Sequence, residues 1–273
     1  MSSSSCSESR GDWFLARVWA DVERNIRLLD ELLNEVGMSV RQIVQNYPEG
    51  DLYLRLLGLK GTWTGQDNKA IEERVKGTRH HRNHRDVRTY IGDLLLGWVL
   101  QDAVMVLLQK TGFECCPAGA DATRQLLMGR QVTEEPDLWL RTPKGETWWL
   151  DVLADYPMRR GALSYWLEKK RCDLRDNKFK RLMVKRLEGA QVRLIGVSVG
   201  VKRYFGLALS DDLLKELENP PKRNRRVQRL ETHWPYGGKP VIRLNLRLLG
   251  IRFYPFNEFP KGLPFTEQDD KEG

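Results

Sequence analysis

The sequence EPDLWL at residues 135–140 is followed, after a turn at 143–145, by WWLDVLAD at residues 148–155. These two runs predict the adjacent strands of a β-hairpin. Asp137 opens the first strand, and Asp151 lies midway along the second. A carboxylate in an apolar strand is costly to bury unless it is paired or binds a metal. Two of them on adjacent strands therefore predict an oxygen-ligand site for a cation such as Mg²⁺.

The segments on both sides of this hairpin predict alternating helices and strands, with apolar periodicity as the main signal. The predicted elements are a core helix at 90–110 ended by Gly112, a short strand at 113–116, the hairpin at 136–156, a basic helix at 165–187 ended by Gly189, and strands at 192–199 and 204–209. Helix, three strands, helix and strand is therefore the expected order of the central region.

The Pro136-Asp137 pair, followed one hairpin later by Asp151-Val152, resembles the motif of the PD-(D/E)xK nuclease superfamily, which includes restriction endonucleases and DNA-repair nucleases. The predicted order of elements is also the core order of that superfamily, over roughly residues 88–210. The resemblance implies an α/β fold with a restriction-endonuclease-like core, in which helices flank a mixed central sheet. The chain departs from the motif at Leu153, where the superfamily has lysine.

The resemblance also implies which residues would act. Asp137 and Asp151 would be catalytic and would bind Mg²⁺ as the cofactor. A third acid often comes from the first core helix, where Asp93 and Asp102 lie nine residues apart. Because they then face opposite sides of the helix, at most one can reach the site. Asp93 is the preferred third catalytic and metal-binding residue, since Gly97 one turn later leaves room for metal or phosphate.

Leu153 cannot supply the positive charge that the motif lysine gives. Three explanations stay open: a lysine from the second helix reaches the site, a second metal replaces its charge, or the protein is inactive. The helix offers Lys169, Lys170 and Lys178, of which Lys170 is taken as the catalytic candidate. Asp155 shares the strand face of Asp151, so it is either a further acid of the site or a strand-end residue.

The chain is basic, with a formal net charge of +8 and a pI of about 9.3. Its arginines are concentrated where they could contact phosphate, which a guanidinium can bind through two oxygens at once. The candidate DNA-binding residues are Arg79, Arg82 and Arg85 in the segment 76–88, Lys222, Arg223, Arg225 and Arg226 in a second cluster, and Arg243 and Arg247 on the open face of a strand predicted at 241–248. Such contacts would position DNA without specifying its sequence.

The four cysteines, at positions 6, 115, 116 and 172, have no CxxC spacing. This pattern disfavours zinc or a disulfide framework and favours a reducing cytoplasm. The polar start of the chain lacks the apolar stretch of a secretory signal. The predicted organisation is a disordered tail at 1–12, a helical N-terminal region at 13–87 with helices at 13–36 and 39–47, the nuclease-like core at 88–210, a C-terminal extension at 211–265 with a basic loop and a strand, and a tail at 266–273.

Three functions are compatible with these observations. The first is a Mg²⁺-dependent DNA endonuclease, most like a type II restriction endonuclease, acting as a homodimer whose interface could include the amphipathic N-terminal helix. The second is a nuclease-fold protein that binds DNA without cutting it, which Leu153 favours. The third is a protein whose charge is only a solvated surface. Phosphate contacts weaken steeply with salt, so salt sensitivity separates the third from the others.

Overall fold

A computed structural model describes residues 19–75, 86–119, 122–126, 135–157, 161, 163–219, 221–233, 239–261 and 263. Its helices are α1 (Trp19–Asn34), α2 (Val40–Gln45), α3 (Gly50–Leu56), α4 (Gly65–Val75), α5 (Val87–Lys110), α6 (Tyr165–Lys169), α7 (Asp176–Leu187) and α8 (Asp211–Glu218). Its strands are β1 (Glu114–Pro117), β2 (Leu138–Arg141), β3 (Thr147–Asp155), β4 (Arg171–Arg175), β5 (Gln191–Ser198), β6 (Arg203–Ala208), β7 (Val227–His233), β8 (Lys239–Asn245) and β9 (Tyr254–Pro255).

A six-stranded mixed sheet forms the centre, with strand order β1-β2-β3-β5-β6-β9. β1, β2 and β3 form an antiparallel meander, and the β2–β3 turn reverses at Gly145, whose φ is 87°. β3 then pairs with β5 in parallel, with Asp151 opposite Leu194. A parallel pair needs a long crossover, which α7 supplies while packing on both strands. The α/β class with a mixed central sheet flanked by helices, and the hairpin, are confirmed.

The core helix predicted at 90–110 is present as α5. Asp86 caps its start by accepting a hydrogen bond from the Thr89 amide, and Gly112 with φ of 90° follows its end. The length and composition of α5 would allow it to cross a membrane, but 67% of its most apolar window is buried inside the protein. This burial is consistent with the core helix of a soluble protein.

The described part of the N-terminal region, residues 19–75, contains the four helices α1 to α4. Ser39 caps α2 through its hydroxyl, which accepts a hydrogen bond from the Gln42 amide. The apolar side of α1, including Ile26 and Leu29, is buried and packs on α5. α1, the helix that the sequence offers as a possible dimer interface, therefore uses its apolar side within the chain.

The prediction of a single helix over residues 165–187 is wrong. α6 ends at Lys169 and is followed by Lys170, whose φ of 54° is left-handed; β4 then intervenes before α7 begins. Cys172 and Leu174 are buried, and they alternate with polar residues at the period of two that a strand requires. Pairing of β4 with β8 overrides the helical periodicity of the segment.

β4, β8 and β7 form a second, three-stranded antiparallel sheet in the order β4-β8-β7. The strand predicted at 241–248 is present but ends at Asn245, whose side-chain Oδ1 accepts a hydrogen bond from the Leu248 amide. α7 packs on this sheet and on the central one, so it lies between the two.

Asp102 is buried on the side of α5 that faces residues 122–126. The guanidinium of Arg124, also buried, bonds both carboxylate oxygens of Asp102 and reaches the Gln101 side chain. Asp102 is therefore paired within the core. Asp102 is therefore explained without a role in catalysis.

We predict that Asp102→Ala lowers the free energy of unfolding by about 3–5 kcal/mol, because Arg124 would stay buried without its counter-ion. Urea unfolding followed by circular dichroism measures this loss. The matched control is Asp51→Ala, which removes the exposed partner of Lys60 and should change stability little. Equal losses in the two variants would show that the buried pair does not stabilise the fold.

Candidate functional site

Asp137 and Asp151 lie side by side where β2 begins and β3 passes its midpoint. The Asp137 amide donates to Asp151 Oδ1 at 3.0 Å, and the Val152 amide donates to Asp137 Oδ2 at 3.1 Å. Asp151 is 0% exposed. These reciprocal bonds between backbone and side chain hold the two carboxylates against each other, as the hairpin sequence predicted.

Lys178, in the first turn of α7, supplies a cation to this pair. Its Nζ donates to Asp137 Oδ2 at 3.0 Å and lies 3.7 Å from Asp151 Oδ2. Lys178 was one of the three lysines that the sequence offered as a substitute for Leu153. Because β4 turns the chain before α7 begins, this lysine points at the acids although it is 27 residues after Asp151 in the chain.

The Oδ2 atom of Asp151 is enclosed and accepts no hydrogen bond from the described residues. Burial, and then the neighbouring charge of Asp137, raises the pKa of Asp151 to about 6, against the opposing effect of Lys178. Burial lowers the pKa of Lys178, but Asp137 and Asp151 outweigh it and leave that pKa above its ordinary value. The site therefore holds more negative charge than one ammonium group can neutralise.

Arg181 lies one turn after Lys178 on the same side of α7. Its Nη1 donates to the backbone carbonyl of Glu135 at 3.1 Å, and its charge also opposes the rise in the pKa of Asp151. α7 is thus bonded to the Pro-Asp segment at two places. Arg181 is not among the residues expected from the sequence, although its spacing of three from Lys178 is a signal that could have indicated it.

Asp155 is a structural residue at the end of β3. Its Oδ2 accepts hydrogen bonds from Ser164 Oγ at 2.6 Å, Ser198 Oγ at 3.1 Å and the Trp166 amide at 3.2 Å. These bonds join β3 and β5 to the start of α6. The sequence left Asp155 as either a further acid of the site or a strand-end residue. Its contacts are those of a strand-end residue.

Asp93 and Lys170 are the two other residues of the expected site. Asp93 is half-buried on α5, and the described residues contain no group of three or more acidic, histidine or cysteine side chains arranged to hold a metal. Asp137 and Asp151 thus form a pair. Lys170 is exposed at the end of α6, so Lys178, not Lys170, is the lysine that contacts the acids. Leu153 packs in the apolar cluster between the two sheets.

The expected DNA-binding residues have different environments. Arg243 forms a two-point salt bridge with Asp173, at 2.7 and 2.8 Å, because register places them opposite each other on β8 and β4. Arg226 bonds to Glu216 at 2.6 Å. Lys222, Arg223, Arg225 and Arg247 are exposed, and Arg79, Arg82 and Arg85 lie outside the described residues.

Comparison of the chain with models of known protein families and with curated proteins gives no match.

We predict that Asp151→Asn stabilises the protein near neutral pH. The raised pKa means that the native state binds the proton more tightly than the unfolded chain, so the free energy of unfolding falls as pH rises from 3.8 to about 6. Removing the buried charge should add roughly 1–3 kcal/mol at about pH 7.5. The gain should vanish at low pH, where Asp151 is already neutral. Urea unfolding across this pH range measures both effects.

Asp67→Asn is the control of opposite sign. The hydrogen bond from Arg55, followed by that from Thr64, lowers the pKa of Asp67 to about 2. Its stabilising contribution is present above pH 3.8 and is lost as pH falls towards 2, so the substitution should destabilise the protein at neutral pH. If Asp151→Asn also lowered the free energy of unfolding at neutral pH, the contact between the charged forms of Asp151 and Lys178 would be a net stabilising one.

Proposed function

We propose that this chain is a Mg²⁺-dependent DNA endonuclease of the PD-(D/E)xK type, with Asp137, Asp151 and Lys178 as its catalytic residues. The observation that carries the proposal is the meeting of these three side chains at one place. Two acids from adjacent strands and one lysine are the chemical groups of that superfamily's motif. The lysine comes from α7 instead of from the position of Leu153.

The topology gives independent support. α5, the β1-β2-β3 meander, α7 and the parallel strand β5 follow the core order of the superfamily, with α6 and β4 inserted before α7. In this arrangement the insertion brings Lys178 to the acids. A restriction-endonuclease-like core is therefore the fold assignment that we propose for residues 88–210.

The acid pair fits a divalent cation. Asp151 Oδ2 is a buried acceptor that no described donor satisfies, and such an atom is expensive to keep unless a cation completes its coordination. Asp137 and Asp151 would hold Mg²⁺, which when bound would polarise a phosphodiester and activate water. The donor set is made of carboxylate oxygens, which Mg²⁺ prefers.

The chain's own residues have separate tasks in this proposal. The hairpin bonds fix the two carboxylates, so they need no rearrangement to act together. Lys178, held by Asp137, places a positive charge where negative charge develops on a phosphate during hydrolysis. Its raised pKa keeps it protonated at neutral pH. Arg181 fixes α7 to Glu135 and thereby fixes the position of Lys178.

The alternative is a nuclease-fold protein that binds DNA without cutting it. It is favoured by one contact, because Lys178 lies 3.7 Å from Asp151 Oδ2 and could serve only to neutralise the buried acids. Salt-sensitive DNA binding is expected for either function, so DNA cleavage is the observation that distinguishes them.

We predict that the protein cleaves plasmid DNA in the presence of Mg²⁺ and not in EDTA. Asp137→Ala and Asp151→Ala should each lower the rate at least about a thousandfold, because each removes a cation ligand. Asp51→Ala, at an exposed acid paired with Lys60, is the control and should retain activity. Gel analysis of plasmid digests measures all three. DNA binding without cleavage in any buffer with Mg²⁺ would favour the alternative.

A second prediction separates catalysis from cation binding. Lys178→Met should abolish cleavage yet raise divalent-cation affinity by about tenfold, since it removes a competing ammonium from beside the two carboxylates. Calorimetric titration of the protein with Mg²⁺ or Mn²⁺ reads affinity without any reaction. Lys170→Met, at an exposed lysine, is the matched control and should change neither quantity. Weaker cation binding in Lys178→Met would show that the cation does not occupy the acid pair.

A further inference from the structure

Two tryptophans lie beside the acid pair on the same face of the β2–β3 hairpin. The register places Trp139 directly opposite Trp149. Trp149 is two residues before Asp151, and Trp139 is two residues after Asp137. Alternate residues of a strand share a face, and so do residues directly opposite each other. The two indoles are therefore the next cross-strand pair after the two carboxylates, about 7 Å further along the strands.

Neither indole is part of the apolar core. The described residues form two buried apolar clusters, and Trp139 and Trp149 neither belong to these clusters nor pack against them. Both are half-buried, whereas their neighbours Leu138, Leu140 and Trp148 on the other face of the hairpin are buried under α5. Large aromatic rings usually contribute to a core. Two that stay partly exposed beside a charged site indicate a binding surface.

The indoles lie between α7 and the open edge of the central sheet. α7 packs on β3 and β5. On the other side, β1 is an edge strand, and its residue opposite Trp139 is the exposed Cys116. Arg141 and Thr147, the next cross-strand pair after the two indoles, are exposed as well. A ligand can therefore approach the indoles from the side of β1 and reach the acid pair along the same face.

The side of α7 that faces this surface is basic. Lys185 Nζ lies 4.7 Å from the ring centroid of Trp149, and Lys178 contacts the two acids. Arg181 lies between these lysines, and spacings of three and seven place all three cations on one side of the helix. Glu188 pairs with Lys185, but its side chain is 55% exposed, so salt screens this pair. Positive charge thus runs beside the acids and the indoles.

We infer that Trp139 and Trp149 form a stacking platform for unpaired bases, so that the DNA strand entering the site is unpaired beside the scissile phosphate. The inference rests on the proposed function and names the form of DNA that its site takes. Aromatic faces beside a basic groove are the combination that binds single-stranded nucleic acid, because every base offers a flat face and every nucleotide a phosphate.

The faces of paired bases are covered inside a duplex, so a base can lie on an indole only after it has left the stack. The substrate is therefore a single strand, or one strand of a locally opened duplex. This class is compatible with the plasmid cleavage expected above, since negative supercoiling favours local opening of the strands.

The test uses the unmodified full chain and three variants, in EDTA so that a Mg²⁺-dependent enzyme does not cut the probes. The probes are a fluorescent single-stranded oligonucleotide of mixed sequence and the same oligonucleotide paired with its complement. The platform variant carries Trp139→Leu and Trp149→Leu, and the rescue variant carries Trp139→Phe and Trp149→Phe. The control is Trp63→Leu, which removes a half-buried indole that packs on the core in the N-terminal region.

We expect the unmodified chain to bind the single strand more tightly than the duplex. The platform variant should bind the single strand at least about tenfold more weakly, while its affinity for the duplex changes less than about threefold. The slope of log Kd against log salt should stay the same, because no cation is removed. The rescue variant, which keeps two aromatic faces, and Trp63→Leu should both stay within about threefold of the unmodified chain.

A second readout needs no stable variant. Single strands that carry the fluorescent base 2-aminopurine at successive positions are mixed with the unmodified chain. Stacking on an indole quenches this base, so we expect quenching at one or two positions of the bound strand and loss of that quenching in the platform variant.

Tighter binding of the duplex than of the single strand would overturn the platform, while leaving the proposed nuclease in place if the unmodified chain cleaves DNA. Equal weakening for both DNA forms, or a rescue variant as weak as the platform variant, would also overturn it. If circular dichroism shows that the platform variant unfolds, 2-aminopurine decides: quenching supports the platform, and its absence at every position overturns it. Absence of salt-sensitive binding to either DNA would overturn both the platform and the proposed function.

Discussion

The burial of Asp151 is the constraint on which the rest of the site depends. A fully enclosed carboxylate beside a second one is unfavourable unless cations and donors surround it. The hairpin supplies the amide of Asp137, and α7 supplies Lys178. One oxygen of Asp151, Oδ2, still accepts no hydrogen bond from the described residues. The protein thus keeps a destabilising charge at one place, which is common where a site is organised for binding or catalysis.

The position of α7 follows from this constraint and from the two sheets. Phe179 and Leu182 bury the apolar side of the helix, while Lys178 and Arg181 bond to the segment around the acids. The same helix presents Lys180 to the surface, where Asp176 also attracts Arg229. A single helix therefore links the buried charges, the second sheet and the basic surface. This sharing explains why the helix contains so many basic residues without forming a simple solvated face.

Much of the fold was predictable because its signals are local. The hairpin, the core helix α5 and the strand β5 each carry an apolar period or a turn residue, such as Gly145, that only one local structure fits well. The helix predicted at 165–187 failed for a different reason. Its segment Arg171–Arg175 is short and becomes a strand only because β8 is available to pair with it. A sequence window does not contain that distant partner.

The sequence by itself determined the pair of acids, since Asp137 and Asp151 lie on adjacent strands of one hairpin and a hairpin brings its strands together by local geometry. Only the tertiary structure decided which lysine joins them. Lys169, Lys170 and Lys178 are equivalent in sequence terms, and the insertion of β4 turns the chain so that Lys178 alone of the three meets both carboxylates. The same holds for Asp102, whose burial with Arg124 depends on contacts between distant segments. The local sequence specifies which residues are charged, but the packing of distant segments determines which charged side chains contact each other.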